Sequence, residues 1–302
     1  MTTRRIAIET WDPDYGAPVA AGVLDPSDVS VDAGVELDPA AWKPMTPAHD
    51  ASPSEDVLFI DGVRRTDASA WITEEGPPYR ALLASIGAGA VLGGSRARIA
   101  GAAVERLLIA PQPTANVSTR AGSYTAALAT GTDTDALSRA LQQRLAALET
   151  RVAEQHRDAA EMIFLDGPLR GWPQPHAVGY IKSHHVSYLP EALQSTVGEL
   201  SAGQRTPLFF MATSWSRYSW YLRLPGPANH AWWGIDRCEI SEVLTVDDAR
   251  RAADRATAIL PRFGSSPHKD ARAPENLYPI AGLDGHLRLL LGVGAFVHRF
   301  IR

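Results

Sequence analysis

Two apolar runs of strand length each end in Asp-Gly: Val57-Leu58-Phe59-Ile60 before Asp61-Gly62, and Met162-Ile163-Phe164-Leu165 before Asp166-Gly167. Such a run, closed by a carboxylate and a glycine, predicts a buried strand that delivers an acid to its own end. Ala81 to Leu92 and Arg98 to Ile109 continue the strand pattern. Gly87 and Gly89 predict a bend or a close approach in the first of these, and the second reads as a hairpin or two linked strands. From Thr134 to Ala159 the period changes. Leu137, Leu141, Leu145, Leu148 and Val152 recur at three- and four-residue steps, which predicts one long helix capped by Thr134-Asp135.

Beyond the second Asp-Gly, strands are predicted at Ala177 to Ser183, Pro207 to Ala212, Ser219 to Leu224 and Gly234 to Val243. Helices are predicted near Pro190 to Leu200 and Val246 to Leu260, and a last one from about Gly282 to Arg302. Strands, a long helix, an acid-bearing strand and a closing helix give an α/β fold with a mixed sheet flanked by helices. Residues 1–50, rich in Pro, Asp and Gly with short alternating pieces such as Val29-Ser30-Val31, read as an irregular or β-rich extension packed on a main domain of residues 51–302. No internal repeat is visible.

Composition narrows the class. At 302 residues and 45% apolar, the chain fills a core. A formal charge of -5 argues against a protein that coats nucleic acid through a broad basic field. Cys238 is the single cysteine, so an intrachain disulfide is excluded, and no CxxC or HExxH pattern occurs. With no secretion signal, and with apolar stretches such as Leu289 to Val297 too short to span a bilayer, the expectation is a cytoplasmic protein without a membrane anchor.

The chemistry follows from the two acids. Carboxylates at adjacent strand ends need a cation or a proton between them, which points to a divalent-metal site at Asp61 and Asp166. The long helix offers Glu149 or Glu154 as a further ligand. Glu149 borders the apolar stripe and is preferred. Lys182 closes the strand after Asp166, in Gly179-Tyr180-Ile181-Lys182, and suits a phosphate or the charge on a transferring phosphoryl group. Arg64 and Arg65 place positive charge beside the first acid, as a phosphodiester substrate requires. Tyr278-Pro279 leads toward Asp284 and His286, and the histidine is a candidate ligand or proton carrier. Third glycines, phosphate loops and nucleophile elbows are missing: Leu92 ends the Gly87-Ala88-Gly89 run, and neither GxxxxGK[ST] nor GxSxG occurs.

In this order and approximate spacing, Asp61-Gly62-Val63-Arg64-Arg65, Asp166-Gly167-Pro168-Leu169, Gly179-Tyr180-Ile181-Lys182, Tyr278-Pro279 and His286 resemble the NurA family of DNA-repair nucleases. Val63 and Pro168 depart from the serines usual after Asp-Gly. The resemblance implies an RNase H-like sheet and a manganese-dependent nuclease acting on DNA ends, with Asp61, Asp166 and a helical glutamate as metal-binding acids. Magnesium is the alternative ion. It further implies a homodimer that docks on a hexameric HerA-type ATPase. Two rivals stand beside the nuclease: a catalytically degenerate scaffold or binding partner of an ATPase, and a metal-dependent phosphatase acting on small substrates.

Overall fold

A computed structural model describes residues 29–47, 56–73, 77–182, 188–226, 232–266, 268–270 and 273–301. His184 and His185, and most of the N-terminal extension, lie outside the described residues. The fold is α/β, a large mixed sheet flanked by helices. Its strands are β1 (Ser30–Asp32), β2 (Val57–Ile72), β3 (Tyr79–Gly93), β4 (Arg98–Ala110), β5 (Val117–Thr119), β6 (Gly122–Leu128), β7 (Met162–Asp166), β8 (Ala177–Ile181), β9 (Phe209–Ala212), β10 (Ser216–Arg223) and β11 (Ile235–Ser241). The helices are α1 (Thr134–His156), α2 (Glu191–Glu199), α3 (Val246–Ile259), α4 (Tyr278–Leu291) and α5 (Gly294–Ile301). The chain divides into two compact units.

The first unit holds residues 24–57 and 161–279 of the described chain. Its strands run in the order β1-β9-β10-β11-β8-β7, antiparallel except for the parallel pair β7 and β8. Leu193 and Val197 of α2 pack with Phe209, Met211, Tyr221 and Ile235 into one core. Burying these side chains supplies the main stabilising term, about 25 cal/mol per Å² of apolar surface. Arg205, fully buried, ties Glu36 and Asp254 together through ion pairs of 2.8 and 2.7 Å. That pairing matters because an arginine buried without partners would be strongly destabilising.

The second unit holds residues 58–160 and 280–302, with strand order β2-β3-β4-β6-β5. β3 and β4 form a long antiparallel hairpin with a register shift at Ala90/Val91, and β6 adds to β4 in parallel. α1 covers one face. A Cβ at Gly101 would lie 2.4 Å from His156 Nε2, so β4 carries glycine where the helix end descends on it. α4 covers the other face, where Leu283 Cδ1 would stand 2.8 Å from a Cβ at Gly89 and Leu291 Cδ2 3.4 Å from one at Gly87. These two glycines answer a close approach rather than a bend.

Several expectations change. β2 does not stop at Asp61: it continues to Ile72, because Val63 and Asp67 extend a buried alternation past the glycine. Arg98–Ala110 is a single strand. The cap of α1 is Asp133, whose Oδ1 accepts from Ala136 N at 2.6 Å, not Thr134-Asp135. The closing helix starts earlier, at Tyr278, with Pro279 in its first turn, where a missing N–H does no harm. It then breaks at Gly292, whose φ of 77° no other residue adopts comfortably.

The expectation that no segment suffices to span a bilayer also needs correction. The run Tyr278–Ile301, 24 residues, is long and apolar enough by length and composition. Gly292 divides it, and α4 alone, 14 residues, extends about 21 Å against a hydrocarbon core of about 30 Å.

Candidate active site

Asp166 is the last residue of β7 and pairs with Tyr180 of the parallel neighbour β8. Four buried residues, Met162 to Leu165, carry it to the point where the chain turns. Gly167 makes that turn with a φ of 112°, and its N–H donates to Tyr180 O at 2.8 Å. The chain then folds back over β8. A Cβ at Gly179 would lie 2.8 Å from Gly167 O and 3.0 Å from Leu169 N. The pattern Gly179-Tyr180-Ile181-Lys182 therefore has a local physical meaning: the glycine admits the loop, and the lysine, three residues on, meets the acid. Lys182 Nζ stands 2.5 Å from Asp166 Oδ2, with both side chains largely buried, and lies 5.2 Å from the centroid of the Tyr180 ring.

Three further acids, which the sequence reading missed, surround this loop. Glu239 of β11 is fully buried and accepts from Leu169 N at 2.7 Å, fixing the chain three residues after Asp166. Arg217 and Arg237 hold its other oxygen at 2.9 and 3.0 Å. Glu275 accepts the Tyr180 hydroxyl on its backbone carbonyl and Gly234 N on its side chain at 2.9 Å. Asp236 is completely buried, and neither carboxylate oxygen has a hydrogen-bond partner among the described residues. Burial pushes its carboxyl well above the usual range; Glu275 and Asp166 push the same way, and Lys182 opposes them. Burial, then the charges of Asp166, Asp236 and Glu275, likewise push the Tyr180 hydroxyl up. For Asp236 and Glu239 the only sequence signal was charge inside the predicted strand Gly234 to Val243, which ordinarily means a solvent-facing side chain; Glu275 lay outside every predicted element.

In the second unit, Asp61 lies within β2 and accepts from Gly62 N at 2.7 Å. Glu149 reaches this strand from α1: a Cβ at Gly62 would meet Glu149 Oε1 at 2.4 Å and Leu145 Cδ1 at 2.7 Å. The carboxylate fills the space that glycine leaves, one residue from Asp61. Strand alternation turns Asp61 to the opposite face, the one it shares with Val63 and Arg65. Glu154 is exposed on the helix, whereas Glu149 is half-buried. His286 is half-buried on α4, next to Leu287, which packs toward Gly89. Asp284 pairs with Arg288 at 2.7 Å.

The basic candidates differ in their engagement. Arg65 donates to Asp67 Oδ1 at 2.7 Å and to Leu291 O at 3.0 Å, and also reaches Gly292 O, so it caps the C-terminus of α4. Arg64 is half-buried beside it. Tyr278, in the first unit, is exposed at 42%; its hydroxyl is 2.9 Å from Ser266 Oγ, and Lys269 lies 5.5 Å from its ring centroid.

Carboxylates are the hard oxygen donors that Mn²⁺ and Mg²⁺ prefer. At Asp166 a cation is already in place as the Lys182 ammonium, so the position favours positive charge. Within either unit, among the described residues, no group of three or more His, Cys, Asp and Glu side chains is gathered closely enough to hold an ion. Asp61, Glu149 and His286 belong to one unit and Asp166 and Lys182 to the other.

No family model matches the chain, and no curated protein matches it. Among solved structures, it is similar to the NurA nuclease from Sulfolobus solfataricus, with 13% identity, 85% of this chain and 88% of that chain covered, and a TM-score of 0.48.

Proposed function

We propose that the chain is a divalent-metal-dependent nuclease that hydrolyses phosphodiester bonds at DNA ends in DNA repair. The observation that carries this reading is the buried contact between Asp166 and Lys182 at the end of β7. An acid and an ammonium at one strand end, held by a loop that a glycine must admit, suit a phosphate group and its counter-cation better than a neutral substrate. Asp61 and Asp166 are the acids assigned to Mn²⁺ or Mg²⁺; Glu149, which fills the space at Gly62 on the other face of β2 from Asp61, is left out of that ligand set. When bound, such an ion activates water and stabilises the leaving oxygen. Lys182 and Arg64 bind phosphate oxygens, Tyr278 orients the strand, and the His286 imidazole carries a proton. Arg65 contributes chiefly by holding α4.

The order of the sequence motifs supports a HerA-type ATPase as partner and a homodimer as the working form. The exposed apolar side chains Leu289 on α4, Val293 between the helices, and Phe296 and Phe300 on α5 support a contact with a second copy. A cytoplasmic setting fits the single, buried Cys238.

Asp61→Asn and Asp166→Asn should each lower Mn²⁺-dependent cleavage of linear DNA by at least about 100-fold with folding preserved, as removal of groups used in the transition state does. Cleavage that survives both substitutions would overturn the assignment. One observation favours the scaffold reading instead: no three-ligand group is gathered within either unit among the described residues. Under that reading, calorimetry finds no Mn²⁺ site while the ATPase still binds.

A further inference from the structure

The loop that leaves Asp166 borders a pocket to which the proposed reaction gives no role. Trp172 N donates to Leu169 O at 3.0 Å, and the two residues between them have positive φ, 52° at Arg170 and 79° at Gly171. Gly171 adopts that backbone freely, whereas an arginine is strained there. The turn leaves Arg170 exposed and brings the half-buried Trp172 to a pocket of about 350 Å³, whose lining also includes Trp215, Glu242 and Val243. One buried acid fixes two parts of this lining. Glu239 accepts from Leu169 N at 2.7 Å and pairs with Arg217 at 2.9 Å. Arg217 donates in turn to Thr213 Oγ1 and Trp215 O, both at 3.1 Å, and its guanidinium lies 4.7 Å from the centroid of the Trp215 ring. The pocket is therefore held in shape before any ligand arrives. Leu169, which lines it, is at most about 11 Å of extended chain from Asp166.

We infer that this pocket holds one unpaired base of a DNA strand. The inference deepens the nuclease reading and rests on it for the class of ligand. The volume is that of a small ligand site, and aromatic and apolar side chains with a few polar groups are the usual lining of such sites. Each indole offers a face on which a base of any kind can stack. The charges divide as a nucleotide does. Arg170, exposed at the turn, suits a phosphate. Glu242, in the lining, repels a phosphate and accepts from an amino group on a base edge, as a carboxylate does from cytosine N4. A base inside a duplex is stacked and paired, so the occupant is a single-stranded or flipped nucleotide.

The test is the binding of labelled single-stranded DNA about ten nucleotides long to the full chain, by fluorescence anisotropy in EDTA, so that binding is read without metal-dependent cleavage. Trp172→Ala should weaken binding by about tenfold and Trp172→Phe by less than about threefold, because a phenyl ring still stacks. A strand of the same length and charge but without bases should not sense Trp172→Ala, which separates stacking from a general disturbance of the fold. Where Trp172→Ala fails to fold, the wild type and Glu242→Ala decide: a cytosine strand should bind the wild type at least about fivefold tighter than a thymine strand, and Glu242→Ala should erase the difference. A wild type that binds no single-stranded DNA, a Trp172→Ala that binds it like the wild type, an equal loss on the strand without bases, or equal affinity of the wild type for cytosine and thymine strands would overturn the inference. A chain that binds as expected yet cleaves no DNA with Mn²⁺ refutes the nuclease reading and leaves the pocket standing; one that cleaves while Trp172→Ala binds unchanged refutes the pocket alone.

Discussion

Asp61-Gly62 and Asp166-Gly167 are the same dipeptide after the same kind of apolar run, yet the two glycines do different work. Gly167 turns the chain: its φ is 112°, a Cβ there would meet nothing within 4 Å, and the strand ends. Gly62 turns nothing. β2 runs on for ten more residues to Ile72, and the glycine is needed because α1 brings Leu145 and Glu149 against it. One glycine is a conformational requirement and the other a packing one. The acids beside them differ accordingly. Asp166 stands at a strand end with a buried lysine on it, whereas Asp61 lies inside a long strand and bonds to its own neighbour's N–H.

Substitutions separate the two cases, and a third glycine sets the upper bound. Gly179→Ala drives a Cβ into the backbone of Gly167 and Leu169, atoms that cannot swing aside. It should destabilise the fold by about 2–3 kcal/mol, the upper part of the range for overpacking, measured by urea unfolding. Gly62→Ala meets side-chain atoms of Leu145 and Glu149 rather than backbone, so about 1–2 kcal/mol is expected, and Leu145→Ala should recover part of it in the double variant. Gly167→Ala should cost about 1 kcal/mol from its φ alone, with Asn at this position tolerated better than Ala. If Gly62→Asn also outperformed Gly62→Ala, the contrast between the two sites would fail.

A smaller effect comes from Asp236. Its carboxyl is pushed up by burial, Glu275 and Asp166, against Lys182. A folded-state value above the unfolded one means that the folded chain holds the proton more tightly, so stability falls as pH rises from the ordinary carboxylate range toward the raised value. Asp236→Asn should flatten that slope in unfolding curves taken across pH 4 to 8. An unchanged slope would place the ionisation elsewhere.

What was legible in the sequence divides along the same line. Met162 to Leu165 reads as a buried strand ending in an acid, and the structure agrees, because a chain that must turn after a short fully buried run announces the turn with Asp-Gly. At Ile60 the same reading stops too early. Val63 and Asp67 alternate with polar residues, and Asp67 is buried against Ser85 and Tyr124, so the strand's continuation is disguised as a polar loop. Glu239 and Asp236 were invisible for a related reason. Charge inside a strand pattern ordinarily marks the wet face, and only the fold reveals that Arg217 and Arg237 neutralise Glu239 in the interior. The break at Gly292 was hidden in an apolar run whose composition reads as one helix.

The proposed nuclease needs Asp166 and Asp61 as carboxylates for a divalent cation. Mn²⁺ titration of the full chain by calorimetry tests it most directly, beside the folded variants Asp61→Asn and Asp166→Asn. The wild type should show a saturable site that is lost or weakened at least about tenfold in each variant, as loss of a metal-site partner does. Binding of equal strength in all three proteins, or none in the wild type, would contradict it.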